Sequence, residues 1–477
     1  MKHMTLEKIA AACKGRYCGP EEKKQTEIAG AVIDSRQVQP GYLFIPIRGE
    51  KVDGHKFIPS VFENGAAAVL SEIKLQDPDG PYILVESTPQ ALKDIAEYYR
   101  SVLTIPVVGI AGSVGKTSTK EMIASVLSQK FEVLKTEGNF NNEIGLPLTL
   151  LRIRDCHQAA VVEMGISDFG EMHRLAKMAK PDICVMTNIG LCHLENLKSR
   201  DGILKAKSEM FDFLKKDGTI ILNGNDDKLS KIGKVHGVTP IRYFTEDGTA
   251  KKAQDDYLVT GRDIQNLGLK GMRVSMEFED ETRTVNIPIP GAHNVYNALA
   301  GACVGLTLGL TKDEIISGIE HAKTIQGRTN LLDVKGMTII DDCYNANPVS
   351  MRASLDVLSL GNGRKIAVLG DMGELGTEAR KLHGQVGAYA AQKGIDVLFC
   401  SGILSEEMTK EAKKGGLEVH YFKTRQELTE ALLAYVKAGD QILVKASHFM
   451  EYPKVVEALV SQAEGEKVND KDRKSET

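Results

Sequence analysis

The stretch "VVGIAGSVGKTSTKEMI", residues 107–123, constrains the fold more than any other part of the chain. An apolar run typical of a buried strand leads into a glycine-rich loop, and the loop leads into a segment with apolar residues at Met122, Ile123, Val126 and Leu127. That spacing suits a helix that packs one face on a sheet. A strand, a short loop and a helix in this order predict an α/β domain with a parallel sheet.

The loop between this strand and this helix predicts an anion site. Glycines let backbone N–H groups turn toward a phosphate, and the helix amino terminus adds positive potential. Lys116 can reach the terminal phosphates of a nucleotide, and Thr117 would then hold Mg²⁺. The strict phosphate-loop pattern requires glycine where this chain has Ile110, so a glycine-rich turn with a surface lysine remains the alternative. The predicted phosphate-binding residues are Gly112, Ser113, Val114, Gly115, Lys116, Thr117 and Ser118.

The rest of the chain predicts three domains, which is also the number that 477 residues suggest at about 150 residues per domain. Residues 1–100 contain short strands broken by glycine and proline. Residues 101–324 alternate apolar runs with helical stretches, as in a parallel sheet buried on both faces, and the alternation restarts over residues 325–460. Residues 461–477 are almost without apolar side chains, which predicts a disordered, solvated tail.

Composition excludes several classes of protein. A net charge of -4 without a basic stripe argues against a nucleic-acid partner. The longest uncharged run, residues 284–311, carries two prolines and three asparagines, so no stable membrane insertion is expected. No charged amino terminus followed by an apolar stretch indicates a signal peptide. The eight cysteines lack zinc or redox spacing and are expected to be reduced, mostly buried thiols. We expect a cytoplasmic monomer.

Short motifs in all three predicted domains resemble those of the Mur ligases and follow the order seen in that family. They are "GSVGKTSTKEM", "GNFNNEIGLPLTLL", "VVEMG", "TNIGLCHLENL", "AKSEMF", "GAHNVYNALA", "GRTN", "DDCYNANPVSM" and "GDMGELG". Among Mur ligases, the chain most resembles those that add D-alanyl-D-alanine to UDP-N-acetylmuramoyl-tripeptide. The resemblance implies an ATP- and Mg²⁺-dependent ligase that forms an amide through an acyl phosphate in peptidoglycan precursor synthesis.

The resemblance also implies the architecture. It is a three-domain α/β fold with a small amino-terminal domain that binds the UDP-sugar substrate. The central domain carries a parallel sheet and the phosphate loop, and the carboxyl-terminal domain is Rossmann-like.

The ends of two predicted strands offer candidate metal ligands. Glu163 ends the run "QAAVVEMG", and the carboxyl ends of parallel strands are where such sheets present ligands. With Thr117 it would supply oxygen atoms, which Mg²⁺ prefers; an ordinary strand-end carboxylate is the alternative. His193 follows the next predicted strand, and the resemblance implies a role at a second metal ion. Imidazole is a less usual Mg²⁺ ligand, so a hydrogen-bonding role stays open. The neighbouring Cys192 is interpreted as a packing residue.

Lys207 in "ILKAKSEMF" matches a lysine that several Mur ligases carry as a carbamate. Carbamylation turns a cation into an anion with two oxygens, which can help to hold Mg²⁺. Without the resemblance, Lys207 would be interpreted as a helix-surface lysine like Lys205.

The resemblance assigns nucleotide contacts outside the loop. It implies that Asn297 meets the adenine, that Asp342 accepts hydrogen bonds from the ribose, and that Arg328 reaches the γ-phosphate. Because Arg328 lies just past the central domain, it is expected to do so only if the third domain swings inward. Tyr344 stands where some Mur ligases have a lysine, so no phosphate contact is predicted there. The predicted catalytic residues are Lys116, His193, Lys207 and Arg328.

For the sugar-nucleotide substrate, the resemblance implies contacts from Ser35 and Arg36 in "DSRQVQPG" and from Asn142 in "GNFNNEIG". A strand-end turn with a surface arginine is the alternative for the first two. The segment "VKASHFMEYP" has Ala446 and His448 where many relatives have a lysine-glycine-serine-arginine run. The residues that bind the incoming amine therefore stay unassigned.

Two other functions remain as alternatives. A related ligase, adding another amino acid or adding glutamate to a folate, would share the nucleotide site but should lack the amino-terminal "DSRQVQPGYLF" region. A nucleotide-dependent binding protein without catalysis is a second possibility. The evidence against it is the presence of Lys116, Thr117, Glu163, His193 and Lys207.

Overall fold

The computed structural model describes residues 1, 3–246 and 257–465, and their strands form three separate sheets of five, nine and six strands. Each sheet lies within one predicted segment, so the three-domain α/β fold is confirmed. All eight cysteines are free thiols and most are buried. Within the described residues, none of the helices has the length and apolar character needed to cross a bilayer.

The amino-terminal domain has a five-stranded sheet and three helices. Across the sheet the strand order is β1-β5-β4-β3-β2; β1 pairs with β5 antiparallel and the other pairs are parallel. The elements are α1 (Leu6–Ala12), β1 (Arg16–Cys18), β2 (Gly30–Val32), β3 (Tyr42–Phe44), α2 (Ile58–Glu63), β4 (Ala68–Ser71), β5 (Tyr82–Leu84) and α3 (Thr88–Val102).

Helix α3 connects the first domain to the second, and the boundary predicted at residue 100 lies inside it. Arg100 is 1% exposed. Its Nε donates to the Ala179 carbonyl oxygen at 2.8 Å, and its Nη2 donates to Asp182 Oδ2 at 2.7 Å. A buried guanidinium needs such partners. Arg100 therefore anchors the end of α3 to the central domain, and the helix does not stop at the boundary.

The central domain contains the nine-stranded sheet in the order β14-β13-β12-β11-β10-β9-β6-β8-β7. Its elements are β6 (Val107–Ala111), α4 (Lys116–Leu127), β7 (Val133–Lys135), α5 (Gly145–Leu150), β8 (Ala159–Glu163), α6 (Glu171–Ala179), β9 (Ile183–Met186), α7 (Leu194–Leu197), α8 (Arg200–Ser208), β10 (Thr219–Asn223), β11 (Ile241–Thr245), β12 (Tyr257–Asn266), β13 (Met272–Glu277), β14 (Thr282–Ile287), α9 (His293–Thr307) and α10 (Lys312–Glu320).

The central sheet is not parallel throughout, which corrects the sequence-based prediction. Strands β6 to β12 pair in parallel, whereas β13 pairs antiparallel with β12 and with β14. Along β13, burial alternates residue by residue. Met272, Val274 and Met276 enter the same apolar core as Val285 and Ile287. The two added strands thus extend the sheet with one buried face, as antiparallel edges commonly do.

The carboxyl-terminal domain has the six-stranded sheet in the order β15-β16-β20-β17-β18-β19. Its elements are β15 (Asn330–Val334), β16 (Met337–Asp341), α11 (Pro348–Ser359), β17 (Arg364–Gly370), α12 (Ala379–Gln392), β18 (Val397–Ser401), α13 (Ser405–Lys414), β19 (Glu418–Phe422), α14 (Arg425–Tyr435), β20 (Asp440–Lys445) and α15 (Pro453–Glu464).

This sheet also departs from the predicted parallel arrangement at one edge. Strands β15 and β16 form an antiparallel hairpin, while the other pairs are parallel. The hairpin turns at Lys335 and Gly336, whose φ angles of 46° and 77° are both positive. Two positive φ angles are what a tight two-residue hairpin requires.

The carboxyl-terminal helix extends into the segment predicted as a solvated tail. That segment begins at residue 461, whereas α15 ends at Glu464. Leu459 and Val455, earlier in the helix, are fully buried, so α15 is fixed to the domain. The rest of the predicted tail, residues 466–477, lies outside the described residues.

The topology determines where a ligand site can form. Strands β6, β8 and β9 are adjacent, parallel and fully buried. Their carboxyl ends, at Ala111, Glu163 and Met186, therefore meet at one edge of the central sheet, where doubly wound sheets bind ligands.

Candidate active site

The predicted phosphate loop connects β6 to α4 and uses glycine at two positions. A Cβ atom at Gly112 would lie 1.9 Å from Thr187 Oγ1, so only glycine fits. Gly115 is the N-cap of α4 with a φ of 79°, and no side chain of the described residues caps this helix start. An uncapped start leaves the first-turn N–H groups of α4 for an anion.

Two residues after β9 hold the loop in place, and the sequence reading did not assign them a role. Thr187 Oγ1 and Asn188 Nδ2 both donate to the Val114 carbonyl oxygen, at 2.8 and 3.0 Å. The Val114 N–H donates to Asn188 Oδ1 at 3.1 Å, and the Gly190 N–H donates to Ser113 Oγ at 2.9 Å. The loop is therefore shaped before any nucleotide binds.

Lys116 lies across the loop, as the motif predicts. Its Nζ donates to the Gly112 carbonyl oxygen at 2.9 Å, and the side chain lines the cleft described below. The ammonium group is thus placed where the terminal phosphates of a nucleotide in this loop would lie.

Thr117 and Glu163 form an oxygen-rich corner beside the loop. Thr117 Oγ1 donates to Glu163 Oε2 at 2.9 Å. Asn141 Nδ2, which the sequence reading overlooked, donates to Glu163 Oε1 at 2.8 Å. Glu163 is 2% exposed. A hydroxyl and a buried carboxylate at this spacing are the donor types that Mg²⁺ prefers, so these residues fit the ion.

Lys207 is not a surface lysine. The side chain on α8 is fully buried, and its Nζ has no hydrogen-bond partner among the described residues. Burial, together with the nearby charge of Lys116, lowers the Lys207 pKa to about 8, against a smaller opposing effect of Cys192. An unpaired ammonium is costly at such a position, and the neutral amine becomes accessible near physiological pH.

His193 lies at the N-cap of α7 with a left-handed backbone, at a φ of 49°. Its Nδ1 is 2.6 Å from Glu374 Oε2, a contact that is an ion pair when the histidine is protonated. His193 lowers the Glu374 pKa, against the opposing effect of burial. Glu374 follows β17, so this contact joins the central and third domains.

The third domain brings Arg328 to the phosphate loop. Arg328 Nη2 donates to Thr117 Oγ1 at 3.3 Å, and the guanidinium carbon lies 4.0 Å from the centre of the Tyr344 ring. The inward position that the sequence reading expected is thus the one seen in this structure.

Asp342 is held by several groups at the end of β16. Lys445 Nζ donates to Asp342 Oδ2 at 2.6 Å, and the Thr329 N–H donates to Asp342 Oδ1 at 3.1 Å. Burial alone would raise the Asp342 pKa, but the charge and hydrogen bond of Lys445, then Ser354 and Arg328, lower it on balance. Asp342 is therefore a fixed acceptor.

Asn297 on α9 has both ends of its amide engaged within the protein. Its Nδ2 donates to Asn294 Oδ1, and its Oδ1 accepts from Thr119 Oγ1, both at 2.8 Å. The side chain is 6% exposed and lines the cleft, so it is rigidly oriented there.

The three residues predicted to contact the sugar-nucleotide substrate lie in two different domains. Asn142 lines the cleft, and its Oδ1 accepts from the Gly145 N–H at 2.8 Å at the start of α5. Ser35 and Arg36 lie in the amino-terminal domain and do not line the cleft. The Arg36 guanidinium is 2.7 Å from Asp34 Oδ2 and its side chain is 88% exposed.

A cleft of about 650 Å³ lies between the central and third domains and brings most of the predicted residues together. Those that line it are Ser113, Val114, Gly115, Lys116, Thr117, Ser118, Asn142, Glu163, His193, Asn297, Arg328 and Asp342. Gly112 and Lys207 lie behind its wall. Within the described residues, no cluster of three or more histidine, cysteine, aspartate or glutamate side chains is arranged to hold a metal.

The signals for the overlooked residues differ in kind. Thr187 and Asn188 directly follow a predicted strand at the ligand edge, so a systematic reading of strand ends would have found them. Tyr344 and Glu374 belong to the third domain, and only the tertiary structure brings them to the loop.

Three family models match the chain, one for each domain. They are the Mur ligase family, catalytic domain, at residues 27–100, the Mur ligase middle domain at residues 110–305, and the Mur ligase, glutamate ligase domain, at residues 327–448.

Curated relatives and solved structures match nearly the whole chain. The UDP-N-acetylmuramoyl-tripeptide--D-alanyl-D-alanine ligase of Bacillus subtilis (strain 168) is 37% identical over 463 residues, covering 96% of this chain and 98% of the relative. The enzyme of that name from Escherichia coli (strain K12) is 33% identical, covering 96% and 99%. MurF from Acinetobacter baumannii superposes with a TM-score of 0.85 at 30% identity, covering 96% of this chain and 98% of that one. MurF from Thermotoga maritima in complex with ADP gives a TM-score of 0.78 at 29% identity, covering 92% and 98%. Three matching domains and relatives above 30% identity over nearly the full length show that the chain belongs to the Mur ligase family.

Proposed function

We propose that the chain is the ATP-dependent ligase that adds D-alanyl-D-alanine to UDP-N-acetylmuramoyl-tripeptide, a step of peptidoglycan precursor synthesis. The observation that carries the proposal is the 37% identity over 463 residues to the Bacillus subtilis ligase of that name. The cleft supports it, because a phosphate loop and a cation from a second domain meet there.

The first step transfers a phosphoryl group. An oxygen of the tripeptide's terminal carboxylate attacks the γ-phosphorus of ATP, the bond from that phosphorus to the β,γ-bridging oxygen breaks, and ADP leaves. Two like unit charges at 4 Å repel by about 4 kcal/mol at an effective dielectric near 20. Lys116 on the loop and Arg328 from the third domain offset this repulsion by placing cations on the phosphate.

The oxygen-rich corner beside the loop fits Mg²⁺. The Thr117 hydroxyl and the Glu163 carboxylate would hold the ion, and Asn141 keeps the carboxylate oriented. His193 would reach a second ion if it released Glu374. Bound there, Mg²⁺ would neutralise charge on the phosphate oxygens.

We also propose that Lys207 carries a carbamate. Its neutral amine nitrogen bonds to the carbon of CO₂ and releases a proton, which leaves an anion in place of a buried cation. The burial of the side chain and the unpartnered Nζ support this assignment, as does the lowered pKa. The carbamate would add anionic oxygens to those of Glu163.

The second step forms the amide. The amine nitrogen of D-alanyl-D-alanine attacks the acyl carbon, the bond from that carbon to the phosphate oxygen breaks, inorganic phosphate leaves, and the nitrogen loses a proton. The third domain, which already contacts the loop through Arg328, would keep water from the acyl phosphate.

The remaining predicted residues are proposed to position substrates. Asn297 would meet the adenine and Asp342 the ribose hydroxyls. Asn142 would meet the tripeptide substrate in the cleft, and Ser35 and Arg36 its UDP end from the amino-terminal domain. Since ATP, the sugar nucleotide and the dipeptide are all soluble, we propose that the chain acts in the cytoplasm. We also propose that it acts as a monomer.

The test is ligation by the purified protein with ATP, Mg²⁺ and tripeptide precursor ending in lysine or in diaminopimelate. Phosphate release should depend on D-alanyl-D-alanine, and the product mass should equal that of the precursor plus the dipeptide less water. Single amino acids and an L,L-dipeptide serve as competing amines. Faster addition of either competitor would refute the dipeptide assignment and leave the ligase assignment standing.

A further inference from the structure

The third domain presents the guanidinium of Arg328 to the phosphate loop. Among the described residues of this domain that line the cleft, Arg328 is the one cation without a carboxylate partner. Lys445, the other cleft-lining cation of that domain, is paired with Asp342. Arg328 has no ion pair among the described residues; its side chain donates to Thr117 Oγ1. Because a guanidinium has five N–H donors, most remain for a phosphate. A long, flexible side chain without an ion pair needs another contact to fix the direction of its guanidinium.

The aromatic ring of Tyr344 meets that need. The guanidinium carbon lies 4.0 Å from the ring centre, well inside the roughly 6 Å range in which a cation over an aromatic face is attracted. Planar guanidinium groups also stack on aromatic faces. The ring therefore directs Arg328 without using any of its N–H groups.

The backbones that carry the two residues are fastened together. The Tyr344 N–H donates to the Gly327 carbonyl oxygen at 3.2 Å, and the Gly327 N–H donates to Asp341 Oδ2 at 2.7 Å. Gly327 has a φ of 75°, and a Cβ atom there would lie 3.2 Å from the Cβ of Tyr344. Arg328 and its ring are thus parts of one rigid corner of the third domain.

The hydroxyl of Tyr344 takes no part in this arrangement. It has no hydrogen-bond partner among the described residues. Burial raises the Tyr344 pKa, Arg328 lowers it and Glu163 raises it, with a net increase. The hydroxyl therefore stays protonated at physiological pH, and the ring is the part of the side chain that contacts Arg328.

We infer that Tyr344 is a positioning residue that acts through Arg328: its ring holds the guanidinium at the phosphate loop, so that Arg328 meets the γ-phosphate when ATP binds. This inference rests on the proposed ATP-dependent function. It explains how a tyrosine at this position contributes to phosphate recognition without touching the phosphate.

The test compares Tyr344→Phe, Tyr344→Leu, Arg328→Ala and the double variant Tyr344→Leu/Arg328→Ala. Tyr344→Phe keeps the ring and should keep kcat within about two-fold. Tyr344→Leu should lower kcat about ten-fold, the size expected for loss of a partly desolvated cation–π contact. In the Arg328→Ala background the same change should have almost no further effect, because residues that act as a unit are not additive. Tyr389→Leu is the matched control, since it removes the ring beneath Arg352, and neither residue lines the cleft.

A second readout does not depend on ligation. Calorimetry measures the preference for a non-hydrolysable ATP analogue over ADP, which reports contact with the γ-phosphate. Arg328→Ala and Tyr344→Leu should both reduce this preference, and Tyr344→Phe and Tyr389→Leu should keep it. If Leu impairs folding, Tyr344→Met takes its place. The inference would be overturned if Tyr344→Phe lowered kcat and the preference for the ATP analogue as much as Tyr344→Leu does. It would also be overturned if Tyr344→Leu lowered kcat as much in the Arg328→Ala background as in the wild type. Failure of the wild-type chain to ligate would refute the proposed function separately.

Discussion

Two lysines, one in the phosphate loop motif and one buried on α8, illustrate how burial affects the role of a charged residue. Lys116 lines the cleft and donates to the Gly112 carbonyl oxygen, so its side chain has an acceptor and faces the space that a phosphate would fill. Lys207 is fully buried without an acceptor, so its cationic form is disfavoured. We therefore propose that the same type of side chain binds phosphate at one position and reacts with CO₂ at the other.

Lys116→Ala should abolish ligation. Removing the cation on the transferred phosphate should lower kcat by at least about 10²-fold, the typical effect of losing one preorganised stabilising group. The free energy of unfolding should change by less than about 1 kcal/mol, because the side chain is not in the core. Steady-state kinetics and denaturant unfolding measure the two effects, with Lys130→Ala, beyond the end of α4 and outside the cleft, as the control. A folded Lys116→Ala protein with wild-type turnover would contradict the phosphate-loop assignment.

Lys207→Ala should lose most activity while keeping its affinity for ATP, since the loop and the adenine site are elsewhere. A short carboxylic acid at high concentration should partly restore turnover by filling the vacated space with an anion. Lys205→Ala is the control, because Lys205 lies on the same helix but is exposed. Carbon-13 NMR of the wild-type protein in labelled bicarbonate should show a carbamate signal that Lys207→Ala lacks. Wild-type activity in Lys207→Ala would contradict the carbamate proposal and leave Lys207 as a buried packing residue.

At the scale of elements, sequence patterns predict what is local and miss what is paired at a distance. The buried runs at β6, β8 and β9 are apolar and uninterrupted, so their strands were predicted correctly. The antiparallel additions β13 and β14 and the β15 edge were missed, because strand direction depends on connections and on positive φ angles at a turn such as Lys335. The motif residues of the loop were predicted because they are contiguous. Asn188, which binds the loop, and Tyr344, which contacts Arg328, are distant in sequence from those partners, and these contacts were not predicted.

The loop after β17, which carries Glu374, depends on a buried neutral histidine. The Met372 N–H donates to His383 Nε2 at 2.8 Å, while His383 Nδ1 lies 2.6 Å from the Ala379 carbonyl oxygen. A carbonyl oxygen can only accept, so Nδ1 carries the proton and Nε2 must stay unprotonated. Burial lowers the His383 pKa below its usual 6.5, against the smaller effects of the Ala379 hydrogen bond and Asp371.

This arrangement predicts a loss of stability in mild acid. The folded state binds the His383 proton less readily than the unfolded chain, so the stabilisation is complete above about pH 6.5 and is lost as the pH falls toward the lowered pKa. One such group contributes a slope of at most about 1.4 kcal/mol per pH unit. His383→Gln should reduce the slope of unfolding free energy against pH between 7 and 5, whereas His236→Gln, at an exposed histidine, should not. Equal slopes in wild type and His383→Gln would contradict the prediction.

At the scale of the whole molecule, the active site exists only where two domains meet. Lys116, Thr117 and Glu163 come from the central domain, and Arg328 and Asp342 come from the segment after it. Only two polar contacts described above cross the cleft, Arg328 to Thr117 and His193 to Glu374. The partly exposed His193–Glu374 pair is worth little, and a single hydrogen bond from Arg328 adds about 1 kcal/mol. These two contacts alone would not hold the domains closed permanently.

The free protein should therefore open, and ligands should close it. A ligand shifts an equilibrium only through its differential affinity for the two states, and ATP gains the contact with Arg328 only in the closed state. ATP analogue and tripeptide together should decrease the radius of gyration to that of the structure described here, and each alone should do less. Small-angle X-ray scattering measures this. Arg328→Ala should weaken the closing effect of the ATP analogue, while Arg36→Ala, outside the cleft, should leave that effect intact. A radius of gyration that is unchanged when both ligands are saturating would contradict this prediction. It would mean that the third domain is fixed in place and that Arg328 already contacts the loop in the absence of ATP.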